Sequence, residues 1–217
     1  YIIFLSDIAF RDFRTYRTAA THVLSGQRFV GSTADMPTGP YVYLPITVLV
    51  YMPLAFLSER TAHLGLMIVN VIGAIFVTRE IIRICALHSI QLERRDILAI
   101  GATIVFAPTL GGNIVNGQPN LWLLAAILSG YRYINQGQQR IGGFLFAIPA
   151  IFKLWPALIG LWLLYRRTYT AIFAAVSTGL AALAVSIGFF GINTNITYFE
   201  YIIFSRSWTN LFAGGLD

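Results

Sequence analysis

Charge is scarce in this chain. Only 11% of its 217 residues are Asp, Glu, Lys or Arg, against about 25% in an ordinary soluble domain. So few charges cannot cover a water-soluble globule of this size. That excludes a soluble enzyme and a disordered chain. Cysteine is rarer still: Cys85 stands alone and cannot pair within the chain, which excludes a disulfide-rich secreted scaffold. It reads as a small hydrophobe. Lysine occurs once, at Lys153, and His22, His63 and His88 lack ligand spacing, so no zinc site is expected. There is no internal repeat, and no stretch alternates as a membrane barrel would.

What is present is apolar. Hydrophobic residues make up 57% of the chain, and the mean hydropathy is +0.69. The solvent expected for such a surface is lipid. The net charge is +6, carried by 14 Arg and one Lys. No soluble domain presents those charges as a stripe, so nucleic acid is not an expected partner. Anionic lipid or a phosphate-bearing substrate fits better, because the planar guanidinium fork matches phosphate. The chain opens at Tyr1 without a basic lead and closes in Gly-Gly-Leu-Asp217. No signal peptide is expected, and both ends read as cuts through a longer protein.

Crossing a bilayer as a helix takes roughly 20 apolar residues, with about 17 as the lower limit. Six stretches compete: 41–57, 62–78, 97–111, 121–134, 141–165 and 171–190. The third and fourth are short and flank the polar run 113–120. Short helices around a polar stretch tend to line a site rather than face lipid. The expected fold is an all-α polytopic bundle forming one membrane domain over 1–217, with membrane helices in 41–190.

Residues 6–40 are polar by contrast. Within them, 12–25 reads as an amphipathic helix lying in the membrane interface, with Phe13, Tyr16, Ala20 and Val23 or Leu24 on one face and Arg14, Arg17, Thr21 and Ser25 on the other. Gly26 ends it, and 31–40 is expected as a loop. A second interfacial stretch is expected at 198–204, after an uncharged loop at 191–197. Asn195-Ile-Thr197 fits the N-glycosylation pattern.

Three groups of residues carry possible chemistry. Asp7 and Asp12 precede the first full span, and a carboxylate there can serve as a general base toward a hydroxyl. Asp12 can equally cap its helix. Lys153 lies deep in the fifth stretch, where an ammonium costs about 3 kcal/mol to insert and is functional by default. Snorkelling to the interface is the alternative. The amides of Asn116-Gly-Gln-Pro-Asn120 suit either sugar hydroxyls or a turn.

The motifs resemble those of glycosyltransferase family 87, multispanning GT-C enzymes that use a polyprenyl-phosphate sugar, typically mannose. Asp12-Phe-Arg-Thr-Tyr16, Ala19-Ala20 and Gly26 are similar to its Asp-Leu-x-Val-Tyr…Ala…Gly opening. Tyr41-Val-Tyr-Leu-Pro45 with Pro53-Leu-Ala55 is similar to its Tyr-x-Pro-Pro…Pro-Leu stretch, with Leu44 where a first Pro is common. Gly117-Gln118-Pro-Asn120 and Lys153-Leu-Trp-Pro156 resemble its Gly-Gln-x-Asn and Lys-Pro-x-Pro. GPI mannosyltransferases share a similar Lys-x-x-Pro stretch.

The resemblance implies an inverting transferase with Asp12 as catalytic base in the first extracytoplasmic loop. Lys153, Arg14, Arg17, Tyr16, Tyr43, Gln118 and Asn120 are then expected to bind substrate, with the lipid-phosphate charge falling to Lys153 and one of the two arginines. It also implies a GT-C-like bundle lacking one N-terminal and several C-terminal helices. The donor would be a polyprenyl-phosphate sugar, acting as substrate with no cofactor and no metal site expected, the acceptor a lipid or glycan, and the setting a bacterial or archaeal plasma membrane with 191–217 extracytoplasmic. A transporter or flippase of a phosphate-bearing lipid is the rival class, though it favours internal repeats. Six full crossings would put eleven arginines on the side of residues 1–40 and only Arg60, Arg166 and Arg167 on the other. The positive-inside rule would then make the Asp12 loop cytoplasmic. The family places it outside, and that placement is adopted here.

Overall fold

The computed structural model describes residues 11–30, 41–106 and 108–201, and every regular element among them is helical. Asp7, the loop at 31–40, Arg206 and residues 202–204 of the second interfacial stretch lie outside the described residues. The helices are α1 (Arg11–Leu24), α2 (Val48–Ala55), α3 (Glu59–Leu87), α4 (Arg94–Phe106), α5 (Pro108–Asn116), α6 (Asn120–Asn135), α7 (Gln139–Phe152), α8 (Ile159–Tyr165) and α9 (Tyr169–Glu200). They divide into two units: Tyr1–Phe13 with Leu57–Leu180, and Arg14–Phe56 with Ala181–Asp217.

The first unit is built on α3. Ser58 caps it, its side chain accepting from the Thr61 amide, and Glu59 sits in the positive first turn. Its 29 residues make a rod about 43 Å long, enough to cross a bilayer. The chain returns through α4 and α5. Helix α6 then runs parallel to α3: the Trp122 indole donates to the Val69 carbonyl at 3.1 Å near one end, and Arg132 meets Glu80 near the other. Ala74, Val77, Ile104, Ile114, Leu121 and Ala125 form the core between them.

Helix α7 folds back against α6 through glycines. A Cβ on Gly142 would meet the Ile134 side chain at 2.6 Å, so that close approach depends on the missing side chain. The chain then reverses. Lys153 is extended (φ −137°, ψ 132°) at the end of α7, and Pro156, which has no amide to donate, opens a 3-10 turn over Trp155–Leu158. Helix α8 climbs back along the bundle, with Trp162 against Tyr131 (5.8 Å) and Phe146 (6.0 Å). Leu163 packs with Ile134, Phe146 and Ala171 in a second core cluster.

This corrects the expectation of one span over 141–165. The stretch is a helical hairpin whose first arm is about 21 Å long, short of the roughly 30 Å hydrocarbon core. Lys153 stands at its apex rather than in mid-helix. Residues 41–57 also fail to make a span: they hold a 3-10 turn (Pro45–Thr47) and the eight-residue α2, about 12 Å long.

The second unit takes α1 from Arg14 onward, and the helix Arg11–Leu24 covers nearly the stretch expected to be helical. Tyr16, Ala19 and Ala20 are buried, Thr21 and Ser25 exposed. Gly26 takes a left-handed φ of 70° just past the helix end, with the Gln27 amide bonding the His22 carbonyl. Helix α9, which belongs to this unit from Ala181 onward, is the second helix among the described residues long and apolar enough to cross a membrane. It breaks at Gly191 (φ 78°, ψ 161°), and the stretch before the break is still about 33 Å long. Residues 192–200 are helical, not the loop expected at 191–197. Asn195 is buried, accepting from the Ser186 hydroxyl at 2.7 Å and donating to the Gly191 carbonyl at 2.8 Å. A glycosylation motif would need that amide free, so this one is structural. Tyr198 is buried too.

Candidate active site

Four residues singled out in the sequence meet in the first unit. The Lys153 ammonium donates to Asn120 Oδ1 at 2.8 Å. Asn120 Nδ2 donates to Gln118 Oε1 at 2.6 Å, and Gln118 Nε2 donates to Asp12 Oδ2. The two charged ends fix the polarity of this relay. An ammonium only donates and a carboxylate only accepts, so both amides between them must point the same way. A cation and an anion separated by about 140 positions in sequence are thus joined through two neutral groups.

The local sequence explains each placement. Asp12 lies in the first turn of α1, where the helix dipole favours a carboxylate. Because α1 already begins at Arg11, Asp12 is inside the helix rather than its cap, and its side chain is directed to Gln118. Gln118 and Asn120 flank Pro119 in the turn between α5 and α6. Gly117 opens that turn at φ 68°, and a Cβ there would meet Leu66 Cδ2 at 2.7 Å and Phe13 Cβ at 3.2 Å. The turn and the site are therefore one feature. Lys153 arrives from the opposite direction, at the apex of the α7–α8 hairpin.

Two further amides brace this site, and sequence reasoning passed over them. Asn120 Nδ2 also donates to Asn113 Oδ1 at 2.6 Å, while Asn70 Nδ2 donates to the Asn113 carbonyl at 3.2 Å. Asn70 is fully buried. A lone amide in the middle of the apolar stretch 62–78 was the available signal. His63 adds a tie, bonding the Val115 carbonyl at 2.8 Å and lying against the Phe13 ring at 5.2 Å.

The other expected site residues, Arg14, Arg17, Tyr16 and Tyr43, belong to the second unit. The Tyr16 and Tyr43 hydroxyls bond each other at 2.6 Å, and Tyr16 stacks on Tyr51 at 4.6 Å. Both Tyr16 and Tyr43 are buried, at 3% and 2% exposure, so they make an aromatic core rather than an open surface. Arg14 and Arg17 are half-buried on the same helix. Among the described residues no three His, Cys, Asp or Glu side chains gather as metal ligands.

The far end of the first unit is strongly basic. Glu80, buried in α3, is paired with Arg132 (2.7 Å) and Arg83 (2.6 Å). Arg79, Arg94, Arg95 and Arg140 lie at this end as well, and the hairpin returns Arg166 and Arg167 to it, Arg166 reaching Asn135 at 3.4 Å. The sequence had placed that last pair with Arg60, opposite the others. The reversal at Lys153 is the reason for the change. Asp12, Lys153 and Arg60 sit at the other end of the same unit.

The profile of glycosyltransferase family 87 matches residues 41–214. A polyprenol-phosphate-mannose-dependent alpha-(1-2)-phosphatidylinositol pentamannoside mannosyltransferase of Mycolicibacterium smegmatis is 26% identical over 159 residues. That alignment covers 73% of this chain and 37% of the relative, so the chain spans little more than a third of that protein. No solved structure matches.

Proposed function

The chain belongs to glycosyltransferase family 87, and we propose that it is the base-bearing part of a polytopic, GT-C-like membrane enzyme that moves a sugar from a polyprenyl-phosphate donor to a lipid or glycan hydroxyl. Mannose is the favoured sugar, because the mycolicibacterial relative is a polyprenol-phosphate-mannose-dependent mannosyltransferase. Asp12 takes the proton of the acceptor hydroxyl as that oxygen bonds to C1 of the sugar. The bond from C1 to the phosphate oxygen breaks on the opposite face, so the configuration inverts. The phosphate leaves with the electron pair and needs no proton, only stabilisation of its charge. Lys153 supplies it.

The observation that carries this reading is the relay from Lys153 through Asn120 and Gln118 to Asp12. It joins the carboxylate proposed as base to the ammonium through two amides rather than by direct pairing, which would neutralise both. In this reading the reacting centre lies between carboxylate and ammonium. Gln118 occupies one Asp12 oxygen, so the acceptor hydroxyl would use the other.

Within the first unit, eight arginines gather at the end away from Asp12, against Arg11, Arg60 and Lys153 at the Asp12 end. A positive-inside bias acting on this unit would hold the eight-arginine end in the cytoplasm, which is the orientation the family resemblance implies.

The test is Asp12→Asn in the full membrane protein with a polyprenyl-phosphate sugar and a lipid acceptor. Loss of a general base lowers turnover by about 10²- to 10⁴-fold, with donor binding retained. Turnover within a few-fold of wild type would remove Asp12 from the mechanism.

A further inference from the structure

The second unit contains a cavity that plays no part in the relay. It has a volume of about 610 Å³, within the range of about 300–1,000 Å³ typical of small-ligand sites. Its lining combines the apolar Leu49, Met52 and Phe190 with the polar Arg28, Asn193 and Thr197. None of its described lining residues is acidic. Among the described residues the Arg28 guanidinium makes no ion pair, and the segment carrying it is tethered by His22 Nδ1, which donates to the Arg28 carbonyl at 3.0 Å.

The break at Gly191 builds the polar wall. Its left-handed φ turns α9, and the Ser186–Asn195 bond locks the two arms together. Asn193 and Thr197, four residues apart, then share one helix face beyond the break, while Phe190 precedes it. A cation, an amide and a hydroxyl lining one cavity suit a phosphate. The apolar residues of the same lining suit a hydrocarbon chain leaving it.

We propose that this cavity binds the phosphate and adjoining hydrocarbon of a phosphorylated lipid, with Arg28 on the phosphate. The inference rests on the reading that the substrates are such lipids, and it adds where one of them is held. Donor and acceptor lipid share this chemistry, and the experiment separates them.

The full membrane protein in nanodiscs is photolabelled with two diazirine probes, one a polyprenyl phosphate and the other a phosphatidylinositol, and the labelled peptides are mapped by mass spectrometry. Label is expected on Met52 or Phe190 from at least one probe. Competition by unlabelled polyprenyl phosphate assigns the cavity to the donor lipid, whose one phosphate is then held by Arg28 in place of Lys153; competition by phosphatidylinositol alone assigns it to an acceptor lipid and leaves the donor phosphate to Lys153. Arg28→Gln is expected to lower that labelling at least fivefold, and Met52→Trp, which fills the cavity, to do the same. Labelling should survive Asp12→Asn, because binding is read without turnover, so a failure of the catalytic reading stays separable. Absence of label in the cavity would overturn the proposal. So would equal labelling by an uncharged polyprenol probe, or labelling indifferent to both variants.

Discussion

Lys153 Nζ lies 2.8 Å from Asn120 Oδ1, a contact between the apex of a helical hairpin and the first residue of α6. At that position the ammonium has left the helix and needs no snorkelling path. The proposed role is to meet the departing phosphate. Lys153→Met would then lose one charge-assisted contact, worth about 1.5–3 kcal/mol, or roughly a ten- to hundredfold weaker donor affinity. Lys153→Arg should restore only part, since the planar fork needs other geometry. Donor binding unchanged in Lys153→Met would exclude the phosphate role.

Gly117 sets the register of Gln118. Its φ of 68° and the closeness of Leu66 and Phe13 leave no space for a side chain. Gly117→Ala is expected to cost about 1–3 kcal/mol through backbone strain and to displace Gln118 from Asp12. Thermal unfolding in detergent should show the lower midpoint, and turnover should fall further than unfolding explains. A variant as stable and as active as wild type would mean that the turn is slack.

The family motifs led to the relay because each of its members lies in a short contiguous pattern. Hydropathy was a poorer guide to the path between them. An apolar stretch of 25 residues at 141–165 looks the same whether it crosses once or turns back, since transfer energy does not depend on direction. Only Pro149 and Pro156 around Lys153 hinted at the break. Residues 41–57 mislead for a related reason: apolar residues buried in protein and apolar residues facing lipid read alike. Asn70 and Asn113 carry no motif, and their importance depends on a long-range contact between α3 and α5.

Glu80 anchors the opposite end of the bundle, nearly inaccessible and bonded to Arg132 and Arg83. Removing Arg132 leaves the buried Glu80 with Arg83 as its remaining partner. Arg132→Met should therefore destabilise by about 1.5–3 kcal/mol, the worth of a charged hydrogen bond. Glu80→Leu combined with Arg132→Met, which removes both charges, should regain most of it. Neither change touches the relay, so the double variant should keep the wild-type KM for donor. A double variant no more stable than the single would show that Glu80 contributes through contacts other than this pair.

The arginine distribution makes a prediction about sidedness that activity measurements cannot reach. Arg94, Arg95, Arg140, Arg166 and Arg167 are exposed at one end of the first unit, and Arg60 lies near the start of α3, at the other. Charge bias acts during insertion, and arginines flanking helices resist translocation. Cys85, the native cysteine, would be replaced by Ser to give a silent background. A single cysteine at Arg95 should then be shielded in intact cells from a membrane-impermeant maleimide and react only after permeabilisation. One at Arg60 should react in intact cells. The reverse pattern would place Asp12 and Lys153 on the cytoplasmic side, where a lipid-linked sugar would have to be used before it is flipped. Reaction of both positions from the same side would contradict α3 as a membrane-crossing helix, and with it the orientation of the whole first unit.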